Sequence, residues 1–469
     1  MIGGRVTIML ERPEVAADGG ERHKAAGRGL REVGAATPRQ AGGAEGRSVL
    51  VAAYACNPLR GSEEAVGWNW VQSIAAMHRA TVITAEFHRK DIEAACDPND
   101  NPRFVFVPHR AWHYSPTPLW KRIEGSITKP VMNLAYAGWQ RDALTVAKDL
   151  LAREDFDLVH QLTYVGFRFP GHLWRLGLPF VWGPIGGLEN TPWRLLSAMR
   201  RGGIVYYGGR NLINSAQRRW LQSPRRAARA AGPGLIAATG SIAAELRALY
   251  GTEATVISEV VAPVQLSPAS PPRRQAGEPL KIVWSGLHLP GKALNLLLDA
   301  LAPIAGRANF ELHVLGDGPL RAAWTRRAEE LGLSGRCVWH GMVPRTEALR
   351  IMGEGHVLAI SSLKDLTSTV LLEGLALGLP VVCPDHCGFS EVVTPACGIK
   401  VSPRTIEALV SGLGAAVMEL EADETKRFAM AEAALGRAAD YSLARNRQRL
   451  AAIYERVLAE AAQKTRTAA

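Results

Sequence analysis

Short apolar runs that alternate with helical patterns across glycine-rich turns recur in two successive series along this 469-residue chain, and no other feature constrains its fold as tightly. Ser48-Val49-Leu50-Val51-Ala52-Ala53-Tyr54 has the makeup of a buried strand. It runs into the breakers Asn57-Pro58-Leu59-Arg60-Gly61-Ser62 and then a helical pattern from Glu63. Further strands are expected at Ala80 to Thr84, Phe104 to Val107, Asp157 to Leu162 and Phe180 to Trp182, with a helix over Asn133 to Ala152, and the short apolar segments Leu235 to Ala238 and Thr255 to Ile257 follow. The proline-rich polar stretch Leu266 to Arg274 has the composition of a linker. Beyond it the alternation restarts, with strands at Lys281 to Ser285, Glu311 to Leu315, Cys337 to His340, Val357 to Ile360 and Val381 to Cys383. Helices over Leu294 to Ala305, Leu320 to Leu331 and Val370 to Leu377 lie between them.

Two such series imply an α/β protein of two doubly wound parallel-sheet, Rossmann-like domains facing across a cleft, where strand ends receive a nucleotide-like ligand. The expected divisions are a mobile N-terminal tail over 1–46 (or upstream sequence added by an early start codon), a first domain over 47–265 and a linker over 266–278. A second domain follows over 279–440, and a C-terminal helix over 441–469 crosses back to the first.

Apolar residues make up 47% of the chain and charged ones 21%, which excludes a disordered, collagen-like or disulfide-scaffold class. The longest uncharged run, Ala230 to Ala244, contains Gly and Pro and is shorter than the roughly 20 residues of a membrane-spanning helix. Met1 to Glu14 has no apolar core of secretory type, so a cytoplasmic protein is expected. Cys56, Cys96, Cys337, Cys383, Cys387 and Cys397 include no C-x-x-C pair and fit reduced thiols. Cys383-Pro384-Asp385-His386-Cys387 crowds its ligand types on one tight loop, unlike a closed zinc site, and no metal or other cofactor is expected.

The net charge of +11 is concentrated: Asn190 to Ala244 holds nine arginines and no Asp or Glu, +9 in 55 residues, and the remaining 414 share +2. Arg194, Arg200, Arg201, Arg210, Arg218, Arg219, Arg225, Arg226 and Arg229 are interleaved with Trp193, Tyr206, Tyr207 and Trp220. This composition suits an anionic membrane surface, against the plainer reading of a solvated basic face. Nucleic acid is not expected, because the aromatics form no recognisable stacking module.

Trp284-Ser285-Gly286 with Gly291-Lys292, Leu315-Gly316-Asp317-Gly318-Pro319, His340-Gly341 and Leu371-Leu372-Glu373-Gly374-Leu375-Ala376-Leu377-Gly378-Leu379-Pro380-Val381-Val382 follow one another in one order. That order resembles the retaining nucleotide-sugar glycosyltransferases of the family often called GT4, with the GT-B fold. Tyr54-Ala55-Cys56-Asn57-Pro58, Gly61 to Trp70, Phe156-Asp157-Leu158-Val159-His160 and Trp182-Gly183-Pro184-Ile185-Gly186-Gly187 are similar to a bacterial polysaccharide-assembly branch of it.

The missing secretory segment and the arginine block together give the expected localisation, cytoplasmic and peripheral at the inner face of the cytoplasmic membrane, and the resemblance implies a glycosyltransferase. It takes a nucleotide-sugar donor and a glycan or lipid-linked acceptor. The family marks its donor site with two Glu eight positions apart; here Asp365 and Glu373 stand there, the first facing the hexose and the second accepting from ribose hydroxyls. Lys292 supplies a cation to the diphosphate, with Gly61, Ser62, Gly286, His288 and Gly316 around the donor and Thr367-Ser368-Thr369 as the turn whose N–H groups meet phosphate. The family's Arg after the glycine is replaced by Leu287, and a second His two positions beyond His160 by Leu162. His160 ends a strand where active-site groups collect. Asp155-Phe156-Asp157 matches the metal motif of the other major glycosyltransferase architecture but reads as strand entry. The rivals are a nucleotide-sugar epimerase or sugar phosphorylase on the same fold, and a non-catalytic assembly protein that kept the donor domain.

Overall fold

The structure, a computed structural model, describes residues 46–97, 101–108, 128–199 and 201–468. The tail expected over 1–46 lies outside them except for Gly46, as does Arg200.

The first half runs β1 (Ser48–Ala53), α1 (Glu63–Ala75), β2 (Arg79–Ala85), α2 (Arg89–Ala95), β3 (Arg103–Val107), α3 (Thr128–Leu151), β4 (Leu158–Thr163), β5 (Phe180–Ile185), α4 (Arg201–Trp220), α5 (Gln222–Ala231), β6 (Leu235–Ala237), α6 (Gly240–Tyr250) and β7 (Thr255–Val256). Its strands form one parallel sheet in the order β3-β2-β1-β4-β5-β6-β7. Strand β1 is apolar throughout because both of its faces are covered: Leu50 and Ala52 join one core, and Val49, Val51 and Ala53 the other.

The second half runs β8 (Leu280–Ser285), α7 (Leu294–Leu301), β9 (Phe310–Leu315), α8 (Arg321–Glu330), β10 (Cys337–Gly341), α9 (Arg345–Gly353), β11 (Val357–Ala359), α10 (Thr369–Ala376), β12 (Val381–Pro384), α11 (Phe389–Val392), β13 (Gly398–Val401), α12 (Ile406–Ala422), α13 (Glu424–Ala439) and α14 (Leu443–Ala468). Its parallel sheet has the order β10-β9-β8-β11-β12-β13. The same alternation separates Ile282 and Trp284 from Val283, which enter different cores. Two facing doubly wound sheets are the architecture the sequence implied.

Three features tie the halves together. Helix α14 sends Leu450, Ile453, Tyr454 and Val457, a single face at helical spacing, into the core of the first sheet. The short helical turn Trp193–Ala198 and the residue after it carry Leu195, Leu196 and Met199 into the core of the second. Segment 267–279, which has no helix or strand, lies along α13, where Arg427 donates to the Pro272 carbonyl at 2.8 Å and the Arg274 N–H to Glu424 at 3.0 Å.

Candidate active site

Each sheet reverses its strand order once, between β1 and β4 and between β8 and β11, and the loops at the carboxyl ends of those strands are where an open α/β sheet binds its ligand. At the second reversal Lys292, in the loop after β8, places Nζ 2.5 Å from Oδ2 of Asp365, in the loop after β11. Both side chains keep partial access to solvent, so the pair sits at a surface that a ligand can reach. The lysine backbone is fixed from below: Trp284 Nε1 donates to Ser361 Oγ at 3.0 Å, and that hydroxyl donates to the Lys292 carbonyl at 2.9 Å. Gly316, with φ 106°, lies so close to Gly286 that a Cβ there would sit 2.1 Å from the Gly286 oxygen. These glycines let the turns after β8 and β9 stack beneath the lysine.

Glu373, near the middle of α10, is almost fully buried. Its Oε1 accepts from Arg345 Nη2 at 2.7 Å and Nε at 3.0 Å. Burial pushes its carboxyl above the ordinary range, and the guanidinium pulls it back. Thr367 is committed elsewhere: its N–H and hydroxyl are both held by the carboxylate of Glu259, at 3.0 and 2.8 Å, from the segment leaving β7. Ser368 and Thr369 then open α10, whose first N–H groups have no partner within the helix.

Four non-glycine residues among those described have left-handed φ: Ser62 at 58°, Ala293 at 46°, Ser368 at 76° and Cys387 at 55°. Each stands just before a helix, in the loops after β1, β8, β11 and β12, and a side chain there costs about 1–3 kcal/mol of backbone strain. Such strain concentrates where chain direction serves a ligand rather than stability. Gly61 and Ser62 thus bring the N-terminus of α1 to the first reversal, and Glu63 accepts from the N–H of Val165, joining the loops after β1 and β4. A Cβ on Gly186 would come within 2.8 Å of Leu366, and Lys364 Nζ donates to the Glu189 carbonyl at 2.8 Å, so the loop carrying Asp365 is pressed against the first half.

The structure does not bring every candidate together. His160 is fully buried. Its Nε2 meets the Gly183 carbonyl at 2.9 Å, which only accepts, so that nitrogen carries the proton and Nδ1 accepts from Tyr454 Oη at 2.8 Å. Burial holds the ring's pKa down at about 4, against the opposing pull of that carbonyl, and its place is structural, locking α14 to β4. His288 likewise turns its ring away from any ligand, into Trp284, Trp324 and Trp339 at 5.0 to 6.0 Å between ring centres, with burial lowering its pKa to about 4. Only its backbone serves the loop, donating to the Asp317 carbonyl at 2.9 Å and accepting from Leu320 at 3.1 Å. Asp157 accepts from the Ser48 N–H at 2.7 Å at the amino edge of the first sheet, the side away from the cleft. The Cys383 and Cys387 thiols are buried and raised, the latter to about 12. Among the described residues no three His, Cys, Asp or Glu are grouped to hold a metal.

Sequence reasoning missed Glu259, Arg345 and the role of Glu63. The pair Glu63-Glu64 was visible beside the breaker run, whereas Glu259 and Arg345 gain their meaning only from contacts 108 and 28 residues away.

The two sheets, the strained loops at both reversals and the Lys292–Asp365 pair define a GT-B type protein. Residues 279–418 match the family described as glycosyl transferases group 1. The chain is 27% identical over 285 residues to the 2-deoxystreptamine glucosyltransferase of Streptomyces kanamyceticus, covering 58% of this chain and 69% of that one. It is also 27% identical over 150 residues to the lipopolysaccharide 1,6-galactosyltransferase of Escherichia coli K12, covering 31% and 41%, so it spans less than half of that relative. The crystal structure of HepE from Anabaena in complex with UDP superposes with a TM-score of 0.56 at 16% identity, over 86% of this chain and 98% of that one, a likeness of fold. The chain therefore carries a group 1 glycosyltransferase domain and is a glycosyltransferase.

Proposed function

We propose that the protein moves a hexose-type sugar from a nucleotide-diphosphate donor to a hydroxyl of a glycan or lipid-linked glycan, with retention at the anomeric carbon, in bacterial polysaccharide or cell-envelope biosynthesis. One observation carries this reading: the Lys292–Asp365 pair at 2.5 Å, set at the reversal of the second sheet with a buried acid, Glu373, on the helix that follows. A diphosphate entering there exchanges for Asp365 as the partner of Lys292, freeing the aspartate for a sugar hydroxyl while Glu373 Oε2 faces the ribose. The neighbours agree in chemistry, since HepE is described with UDP and the Escherichia coli relative by its action on lipopolysaccharide.

Retention follows by front-face attack. The bond from the anomeric carbon to the diphosphate oxygen breaks and the acceptor oxygen bonds to the same face. Its proton passes to the departing phosphate, whose growing charge Lys292 and the N-terminus of α10 stabilise without reorganising solvent. Purified protein incubated with a panel of nucleotide-sugars and candidate acceptors, with the anomeric configuration of the product read by NMR, tests this. Product of inverted configuration, sugar epimerised without transfer, phosphorolysis, or nucleotide-sugar bound but never turned over, each overturns it.

A further inference from the structure

Helix α4 buries one side and leaves the other bare. On the buried side Gly203 abuts Pro290, Tyr207 Oη reaches the backbone of Gly291, Asn211 bonds Thr191, and Asn214 donates to the Leu188 carbonyl at 3.0 Å. At 3.6 residues per turn the opposite side carries Val205, Leu212, Ile213 and Trp220, which are 76%, 65%, 58% and 78% exposed. The exposed Arg210 and Arg219 border this stripe. Large apolar side chains are normally scattered over a soluble surface, and a contiguous stripe marks an interaction face. Of the seven arginines of the acid-free block whose side chains are described, three are committed within the fold: Arg194 to the Pro403 carbonyl at 3.1 Å, Arg218 to Glu245 at 3.2 Å and Arg225 to the Leu249 carbonyl at 3.1 Å. Arg210, Arg219, Arg226 and Arg229 remain exposed on α4 and α5.

We propose that this face of α4 docks on an anionic lipid bilayer, its apolar stripe lying at the boundary of headgroups and acyl chains and its arginines on lipid phosphates. The combination of one-sign charge and a bordered apolar stripe is that of a helix lying in the interface plane. Among the described residues no helix is long and apolar enough to span a membrane, so the contact is peripheral. Because Tyr207 on the inner side touches Gly291, the residue before Lys292, docking sets the donor loop about one helix diameter, ~10 Å, from the lipid surface. The inference stands on α4 alone and is independent of the donor reading.

The test is co-sedimentation of the full chain with vesicles of equal parts phosphatidylglycerol and phosphatidylcholine, and with pure phosphatidylcholine. Wild type sediments with the former at low salt and is released near molar salt, because screening shortens the reach of surface charges. The triple variant L212Q/I213Q/W220Q weakens binding at least about tenfold, and R210Q/R219Q abolishes the preference for anionic lipid, both with unchanged far-ultraviolet circular dichroism. Equal recovery in the supernatant with both vesicle types overturns the proposal, as does undiminished binding of the triple variant. So does a lipid-free dimer, seen by sedimentation equilibrium and dissolved by L212Q/I213Q/W220Q, in a wild type that ignores anionic vesicles.

Discussion

Both carboxylate oxygens of Glu259 are spent on Thr367, one on its N–H at 3.0 Å and the other on its hydroxyl at 2.8 Å. A carboxylate from the end of the first sheet thereby grips the loop that opens α10, and Trp70 of α1 anchors the Glu259 carbonyl at 3.1 Å from the other side. The grip costs desolvation: burial raises the Glu259 carboxyl to about 7, although the bonds from Thr367 favour the ionised form.

That shift gives a pH dependence of definite sign. The native carboxyl keeps its proton over a range in which the unfolded chain, with an ordinary glutamate pKa of about 4.3, has lost it. The native state therefore binds more protons there, and stability falls as pH rises from about 4.5 to about 7, then levels off. Thermal unfolding across that range should show the decline in wild type and its loss in E259Q. Parallel profiles for the two proteins would mean that Glu259 does not titrate in this window.

Removal of donor contacts should hit transfer without unfolding the chain. K292A and E373A each lower transfer at least about tenfold, since a charge-assisted contact is worth about 1.5–3 kcal/mol. Folding survives because the partners left behind are accessible: Arg345 is largely exposed, and Asp365 is partly so. Initial rates with a soluble acceptor, alongside melting temperatures, check both halves. Full activity in both variants places the donor site elsewhere.

What was legible in the sequence was what local pattern encodes. The apolar runs of β1 and β8 announce strands covered on both faces, and breakers such as Asn57-Pro58 and Gly291-Lys292 mark the turns that reach the cleft. The edge strand β13, only four residues long and with no alternation of buried and exposed positions, carries too weak a pattern to stand out. Helix α4 escaped because Gly202, Gly203, Gly208 and Gly209 lower its intrinsic propensity, and its packing against Pro290 and Gly291 compensates across the cleft. His160 misled for a related reason: a histidine ending a strand looks the same in sequence whether it faces ligand or core, and Tyr454, which decides the matter, lies 294 residues away.

His160 should therefore behave as a structural residue. H160Q loses part of the bridge between Tyr454 and Gly183, destabilising the fold by about 1–3 kcal/mol and leaving the KM for donor unchanged. The pH sign is opposite to that of Glu259. A ring held near 4 stays neutral while the unfolded chain takes up protons below its ordinary pKa of about 6.5, so this contribution is lost as pH falls from about 6.5 to about 4. Melting curves across that range, wild type against H160Q, separate the effect, and a raised KM for donor with unaltered stability would return His160 to the cleft.

A diphosphate leaving group needs its charge neutralised, and enzymes do so with a bridging cation held by carboxylates or with fixed protein charges and helix N-termini. The one Asp-x-Asp sequence here is occupied otherwise: Asp157 receives the Ser48 N–H at 2.7 Å and faces Arg47 at 3.8 Å, at the edge of the first sheet opposite the cleft. At the second reversal the acids Asp365 and Glu373 each hold a cationic side chain, Lys292 and Arg345, and the neighbouring helix presents its N-terminus. On the proposed reading, a charge set of that kind would meet a diphosphate directly, with Lys292 exchanging aspartate for phosphate. Transfer should therefore continue undiminished in excess EDTA, with K292A as the variant that mimics loss of the cation. Turnover abolished by EDTA and restored by Mg or Mn would show that a metal, bound in part by the donor itself, does the work assigned here to Lys292.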